Sequence, residues 1–362
     1  MHQIQRAIFD LRRGMPVVVG TTLVYPTELV DPQLVSLLDG QSASLVISKH
    51  RWAALNQSTQ ATAVALQINA CDGLVDFASL NQAASAPNAD LSALFGSPRP
   101  ATDSELGALA LMRRALLLPA AVTVPVEGAL AKDIEPMIEQ GWLLQVDTDS
   151  SLRCHDLSAG MIRRISEADV PLAKALKTRF ILFREADGLR EHVAVVIGTP
   201  DQWPEAVPVR LHSSCLTGDL FGSLRCDCGE QLQNAVEAIE KLGGGVLLYL
   251  AQEGRGIGLG NKLRAYELQD QGLDTVDADQ LLGFGEDERG YRVAVDMLTN
   301  LDINTIHLLT NNPIKLNALE SGGIDVASRG SLFGSVTDQN RRYLSAKAER
   351  SGHWLDEVLE LP

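Results

Sequence analysis

PVRLHSSCLTGDLFGSLRCDCGEQLQNAVEAIEKLGGGVLLYL (208–250) is the stretch on which the reading of the fold turns. PVRLHS (208–213) reads as a short strand. GEQLQNAVEAIEKLGGG (229–245) places apolar residues at Leu232, Val236, Ile239 and Leu242, the three-to-four spacing of an amphipathic helix, and a glycine run closes it. VLLYL (246–250) follows as a buried strand. The result is a strand, a loop of unusual composition, a helix and a second strand.

The same alternation extends in both directions. EHVAVVIG (191–198) is a β-branched run ending in glycine, KLRAYELQDQG (262–272) looks helical, and TIHLLT (305–310) is another strand. In NNPIKLNALESGG (311–323), Asn312 suits the N-cap, Pro313 the first helical position, and the glycines stop the helix. The fold class is therefore α/β or α+β. The N-terminal half opens with a helix then a strand in IQRAIFDLRRGMPVVVG (4–20), and SLVISKH (44–50) reads as a strand. SELGALALMRRALLLPAAVTVPVE (104–127) reads as a helix, a proline-containing break and a strand. Residues 79–104, rich in Ala, Ser, Asn, Pro and Asp, read as a long loop, and 147–170 as the linker between two domains. No internal repeat is present.

At 362 residues the chain has the length of two ordinary domains, and with 45% hydrophobic and 21% charged residues each can bury a core. The net charge is −15. Residues 1–150 carry 9 Lys+Arg against 15 Asp+Glu, and the remainder is acidic as well. Neither half offers the basic face that a nucleic-acid binder needs. No apolar run reaches the roughly 18–20 residues of a membrane span. MHQIQRAIFDLRRG (1–14) is followed by no apolar stretch with a small-residue cleavage site, so a cytoplasmic protein is expected.

Of 5 cysteines, Cys215, Cys226 and Cys228 fall within one short segment, whereas Cys71 and Cys154 stand alone and read as buried thiols. Clustering of this kind points to metal rather than to a disulfide framework. Structural zinc normally takes four protein ligands, while a catalytic zinc keeps one position open. Three nearby sulfurs fit a catalytic ion, a structural zinc with a distant fourth ligand, or three packed thiols. Spacing does not choose among them. His212, three residues before Cys215, reads as a packing or substrate-contacting group rather than the fourth ligand.

With its neighbours, RLHSSCLTGDLFGSLRCDCGEQL (210–232) closely resembles the signature of GTP cyclohydrolase II. The similarity continues through YLAQEGRGIGLGNKLRAYELQDQGLDTVDAD (249–279), LGFGEDERGY (282–291), LLTNNPIKLNAL (308–319) and RRYLSAKAERSGH (341–353), covering nearly all of 170–353. The resemblance implies a catalytic domain over 166–362, with a mixed sheet and a zinc loop. It implies hydrolysis of GTP with release of formate and pyrophosphate, leaving 2,5-diamino-6-ribosylamino-pyrimidinone 5′-phosphate, the first step of riboflavin biosynthesis. It also implies one Zn2+ per chain on Cys215, Cys226 and Cys228, Mg2+ at the triphosphate, and a homodimer.

By motif match, Asp287 is the proton acceptor, Arg289 acts at the α-phosphate, and Tyr266 lies near the reacting ring. Arg289 is read as an electrostatic clamp, because a guanidinium has almost no neutral form. Substrate contacts carry over to Arg210, His212, Ser213, Gln231, Glu253, Gly254, Arg255, Thr275, Thr310 and Lys315. The Glu253 carboxylate suits the guanine N1–H and 2-amino group. Ser214 and Leu273 depart from the family's usual Glu and aromatic, which leaves open a paralogue acting on another purine nucleotide or giving a different product. A non-enzymatic zinc and nucleotide module is the remaining alternative.

Residues 1–150 faintly resemble dihydroxybutanone phosphate synthase, in AIFDLRRGMPVVV (7–19), ASLVISKHRWAAL (43–55) and ALALMRRALLLPAAVTVPVE (108–127). The acidic metal loop expected after the first strand is replaced by GTTLVYPTEL (20–29), and the histidine region by PATDSELG (100–107). A degenerate, non-catalytic α/β domain is expected.

Overall fold

The computed structural model describes residues 2–28, 31–69, 76–87, 95–154, 162–355 and 359. Cys71 and part of the expected linker lie outside the described residues. The chain forms two compact units. One comprises 1–157 together with 260–288, the other 158–259 together with 289–362. Where the sequence suggests two contiguous domains, 1–150 and 166–362, the segment 260–288 is packed with the first unit.

The second unit is built on β8 (Arg163–Asp169), β9 (Thr178–Arg184), β10 (Glu191–Ile197), β11 (Val207–Ser213), β12 (Gly245–Leu250), β13 (Thr305–Leu309) and β14 (Asp325–Gly330), in the spatial order β14-β13-β11-β12-β10-β9-β8. β12, β11, β13 and β14 pair parallel, whereas β8, β9 and β10 form an antiparallel meander whose last strand joins β12. The sheet is mixed, as the resemblance implies. β12 is buried on both faces. Val246, Leu248 and Leu250 pack with Val293, Met297 and Leu298 of the helix Arg292–Asn300, and Leu247 packs with Ala235, Val236 and Ile239 of the helix Cys228–Lys241. An apolar run bounded by helices on both sides is the pattern of a central parallel strand.

The chain runs from β11 to β12 on one side and returns to β13 on the other. This makes the carboxyl end of β11 a topological switch point, where the loops diverge and leave a crevice. The CLTGDLFGSLRCDCG, EGRGIG and TNN segments all leave the sheet at this end.

The first unit holds β1 (Val17–Val19), β2 (Thr22–Pro26), β3 (Ser44–Ser48), β4 (Ala63–Ile68), β5 (Phe95–Pro100), β6 (Ala120–Pro125) and β7 (Leu144–Val146), ordered β5-β4-β3-β6-β2-β1-β7. Only β1 and β7 pair parallel among the described residues. Residues 79–104 are not a long loop. They include most of the helix Phe77–Ser85, capped by Asp76, and the strand β5. Pro98 and Pro100 are tolerated because β5 is an edge strand, where a missing N–H breaks no ladder. SLVISKH divides at Ser48, which ends β3 and caps the helix Lys49–Ala54. Cys154 is buried. No helix among the described residues is long and apolar enough to cross a membrane.

Candidate metal centre

Cys215 follows the end of β11 and precedes the short helix Leu216–Asp219, while Cys226 and Cys228 lie at the start of the helix Cys228–Lys241. The Cys215 and Cys226 sulfurs are 3.7 Å apart, and the three sulfurs lie within 4.8 Å of one another. A tetrahedral zinc with bonds of roughly 2.3 Å to sulfur separates its thiolates by about 3.8 Å, so the spacing fits. Gly218 closes over the group. A Cβ there would come within 2.7 Å of the Cys226 sulfur and 3.2 Å of that of Cys215, and one at Gly229 within 2.4 Å of the Gly218 carbonyl oxygen. A hydrogen bond with the neighbouring Cys215 thiol pushes the Cys226 pKa up, and burial adds to it. Among the described residues, this is the group of His, Cys, Asp and Glu side chains able to hold a metal ion.

Asp219 organises the loop. Its Oδ2 accepts the Cys215 N–H at 2.9 Å and the Tyr249 hydroxyl at 2.9 Å, and its carboxylate lies 3.1 Å from His212 Nε2. The His212 and Tyr249 rings stack at 5.6 Å with 13° between their planes. Burial lowers the His212 pKa, against the pull of Asp219. His212 therefore joins the outer support of the cysteine loop.

Arg210 is buried in β11. Its Nη1 donates to Leu309 O at 2.8 Å and its Nη2 to Gln231 Oε1 at 2.7 Å, while Gln231 in turn donates to Asp227. Burial brings the Arg210 pKa down to about 10, and Asp227 and Cys228 oppose that shift. Nε of Arg210 and Oγ of the neighbouring Ser213 are buried without a hydrogen-bond partner among the described residues. Ser214 N–H donates to Leu250 O at 2.8 Å, closing β11 onto the end of β12.

The EGRGIG loop leaves β12 through a tight turn in which Gly254 has φ 63° and Arg255 φ 59°. A left-handed arginine costs of order 1 kcal/mol, so the turn is held by its surroundings. Glu253 Oε2 accepts the Leu216 N–H at 2.6 Å, joining this loop to the cysteine loop. Gln252, 2% exposed, donates to Gly290 O at 2.6 Å, one residue past Arg289.

After β13, Thr310 Oγ1 accepts the Asn312 N–H at 3.0 Å, and Asn312 Oδ1 caps Ile314 N–H at 2.8 Å, as the sequence predicts. Lys315 Nζ donates to Leu211 O at 2.7 Å. Arg289 and Lys315 lie 5.7 Å and 5.9 Å from the centre of the Tyr291 ring, within cation–π range. The three cysteines, Arg210, His212, Ser213, Gln231, Glu253, Gly254, Arg255, Arg289, Thr310 and Lys315 thus belong to the second unit, whereas Tyr266, Thr275 and Asp287 lie in the segment that packs with the first.

The sequence reading did not single out Asp219, Tyr249, Gly218, Gln252 or Tyr291. Tyr249 left a trace as the one polar side chain in VLLYL. The others carry no signal apart from their loop neighbours.

The profile of the GTP cyclohydrolase II family matches residues 163–331. A GTP cyclohydrolase-2 of Azospirillum brasilense is 40% identical over 364 residues, covering 98% of this chain and 94% of that protein. One from Pseudomonas aeruginosa (strain LESB58) is 53% identical over 175 residues, covering 48% of this chain and 84% of that protein. A two-domain 3,4-dihydroxy-2-butanone 4-phosphate synthase, RibBX from A. baumannii, is similar at a TM-score of 0.32 and 16% identity over 92% of this chain and 99% of its own, too distant to argue from. Likeness to the Azospirillum protein along nearly the whole of both chains, with the profile spanning the cysteine loop and the crevice loops, leads to one statement: the chain belongs to the GTP cyclohydrolase II family.

Proposed function

We propose that this chain hydrolyses GTP, opening its imidazole ring with release of formate and pyrophosphate to give 2,5-diamino-6-ribosylamino-pyrimidinone 5′-phosphate, the first step of riboflavin biosynthesis. The observation that carries the reading is the three-sulfur group at the switch point of the mixed sheet, with no fourth His, Cys or carboxylate in the group among the described residues. Zinc held by Cys215, Cys226 and Cys228 would supply Lewis-acid activation of water for attack on the purine.

The chain's own groups supply the rest. Asp219 orients Cys215 through its backbone N–H, the kind of outer support that tunes a metal ligand. Arg210 brings a buried positive charge to the mouth of β11, and its free Nε and the Ser213 hydroxyl suit oxygen or nitrogen acceptors of a nucleotide. Glu253, whose Oε2 accepts Leu216 N–H, is an acceptor suited to donors of the guanine edge. Asp287 accepts a proton during ring opening, and Tyr266 contacts the reacting ring. Arg289, permanently protonated, stabilises charge on the α-phosphate. Thr275, Thr310, Lys315, Gly254, Arg255, Gln231 and His212 complete the nucleotide contacts. Mg2+ joins at the triphosphate, where a hard cation leans on phosphate oxygens. The working form is a cytoplasmic homodimer, and residues 1–150 make a non-catalytic, synthase-like domain.

The test is incubation of zinc-loaded protein with GTP and mass spectrometry of the products. Formate, pyrophosphate and the pyrimidinone phosphate support the reading, and intact GTP overturns it.

A further inference from the structure

The segment 260–288 carries Tyr266, Thr275 and Asp287, and it is fastened at both ends to elements of the N-terminal half. Near its start, Arg264 Nη2 donates to Glu28 Oε2 at 2.6 Å, and the other oxygen of Glu28 accepts Leu118 N–H at 2.6 Å. Asn261 Nδ2 donates to Leu116 O at 3.1 Å. Near its end, Ser48 Oγ donates to Gly283 O at 2.6 Å, and Arg113 Nη2 donates to the same oxygen at 3.2 Å. Arg113 Nε also lies 3.5 Å from Glu288 Oε1, which accepts Gly285 N–H at 2.7 Å. Gly283 has φ 89°, and a Cβ there would meet Pro119 Cγ at 3.0 Å and Ser48 Oγ at 3.2 Å, so its backbone lies directly against Ser48 and Pro119.

Arg51 is the centre of this fastening. It is 1% exposed and donates from Nη1 to Leu281 O at 3.0 Å, from Nη2 to Ala83 O and Ala86 O at 2.7 Å, and from Nε to Ala83 O at 3.2 Å. Burial brings its pKa down to about 10. No carboxylate pairs with it among the described residues. A buried guanidinium that is neutralised by no counter-ion is costly to keep, and it holds its place because every bond it makes joins one part of the chain to another. All of these bonds end on backbone carbonyls, so they fix main-chain position rather than any side chain's identity.

We propose that the N-terminal unit is a positioning frame for the segment 260–288, and that Glu28, Arg51 and Arg113 hold the backbone on which Asp287 is presented. None of the three is a catalytic residue. Arg51 and Arg113 act through the geometry of 281–288, and Glu28 through Arg264 at the start of the segment. A displacement on the scale of 1 Å can cost catalysis on the order of a hundredfold. The inference rests on the reading that Asp287 takes a proton from GTP or its water. In this chain the segment is bonded to the N-terminal half, which gives that half a part in turnover.

The test uses the full chain with Glu28→Gln combined with Arg113→Gln, both at partly exposed positions, and Arg51→Met as a second variant. Measured are kcat and KM for GTP, bound zinc, and hydrogen exchange of peptides covering 281–288 and the strands β3 and β6. The expected result is a fall in kcat of roughly tenfold or more, with KM within about threefold and zinc unchanged. Exchange at 281–288 is expected to quicken while β3 and β6 stay protected, and Arg113→Lys alone to keep more activity than Arg113→Gln. A kcat within twofold of the parent in the double variant overturns the inference, and so does unchanged exchange at 281–288. If Arg51→Met fails to fold, the double variant decides. A parent chain that leaves GTP intact condemns the functional reading, and the exchange measurement then judges the frame by itself.

Discussion

The Cys215 and Cys226 sulfurs stand 3.7 Å apart, and the alpha carbon of Gly218 faces both. The absence of a side chain at 218 is what permits the sulfurs to close on one point. Gly218→Ala places a methyl 2.7 Å from the Cys226 sulfur and is expected to cut zinc occupancy well below one per chain at equal free zinc. Gly260→Ala, where a Cβ meets nothing within 4 Å, is the control expected to keep full occupancy. Metal analysis after dialysis against a zinc buffer checks both.

Asp219 bonds the Cys215 N–H, the Tyr249 hydroxyl and His212 with a single carboxylate. Asp219→Asn removes the charge and replaces one acceptor oxygen by a donor, so at least one partner loses its bond. Zinc affinity is expected to fall by about 10–100-fold, the usual cost of losing an outer-shell partner. Tyr249→Phe, which deletes one neutral donor, is expected to cost under tenfold. Competition with a chelating dye measures both, and equal affinities for Asp219→Asn and parent would refute the role.

Asp287→Asn and Arg289→Met are each expected to lower kcat for GTP by at least about a hundredfold while bound zinc stays near one per chain. Retention of turnover in both variants would remove these residues from the mechanism.

Glu105 offers a stability test in the first unit. It is 3% exposed, accepts both terminal nitrogens of Arg99 at 2.7 and 2.8 Å, and also accepts Thr102 N–H at 2.7 Å and the Thr123 hydroxyl at 3.1 Å. Burial raises its pKa, but Arg99 and the other donors outweigh burial and hold the carboxyl below its usual value. Stability from a depressed carboxyl is present above the unfolded value of roughly 4.3 and is lost as pH falls through the folded one. Glu105→Gln is expected to cost about 2 kcal/mol at pH 7, with the gap from the parent narrowing below about pH 4. Urea unfolding at the two pH values reads it.

The parts of the fold set by periodicity were legible in the sequence. Leu232, Val236 and Ile239 marked the helix behind the sheet, VLLYL marked β12, and Asn312 with Pro313 marked a helix start down to its capping bond. Residues 79–104 misled because alanine and proline mean different things by context. Asp76 turned an Ala-rich stretch into a capped helix, and an edge position made Pro98 and Pro100 acceptable in β5.

The cysteines were readable because soft ligands cluster in sequence as well as in space. Asp219, Tyr249 and Gln252 were not, because a hydrogen bond between loops leaves no spacing rule. The packing of 260–288 with the first unit was hidden for a similar reason. It depends on pairs such as Arg51 with Leu281 and Glu28 with Arg264, which lie far apart in sequence and end largely on backbone atoms.

The central claim is that three sulfurs with an open position serve ring opening of GTP. Its most direct test is mass spectrometry of the products from GTP with the zinc-loaded chain, repeated with zinc and with magnesium omitted in turn. The account predicts formate, pyrophosphate and the pyrimidinone phosphate from the complete mixture, and no formate without zinc. Intact GTP with zinc bound, or formate released at the full rate by zinc-free protein, would contradict it.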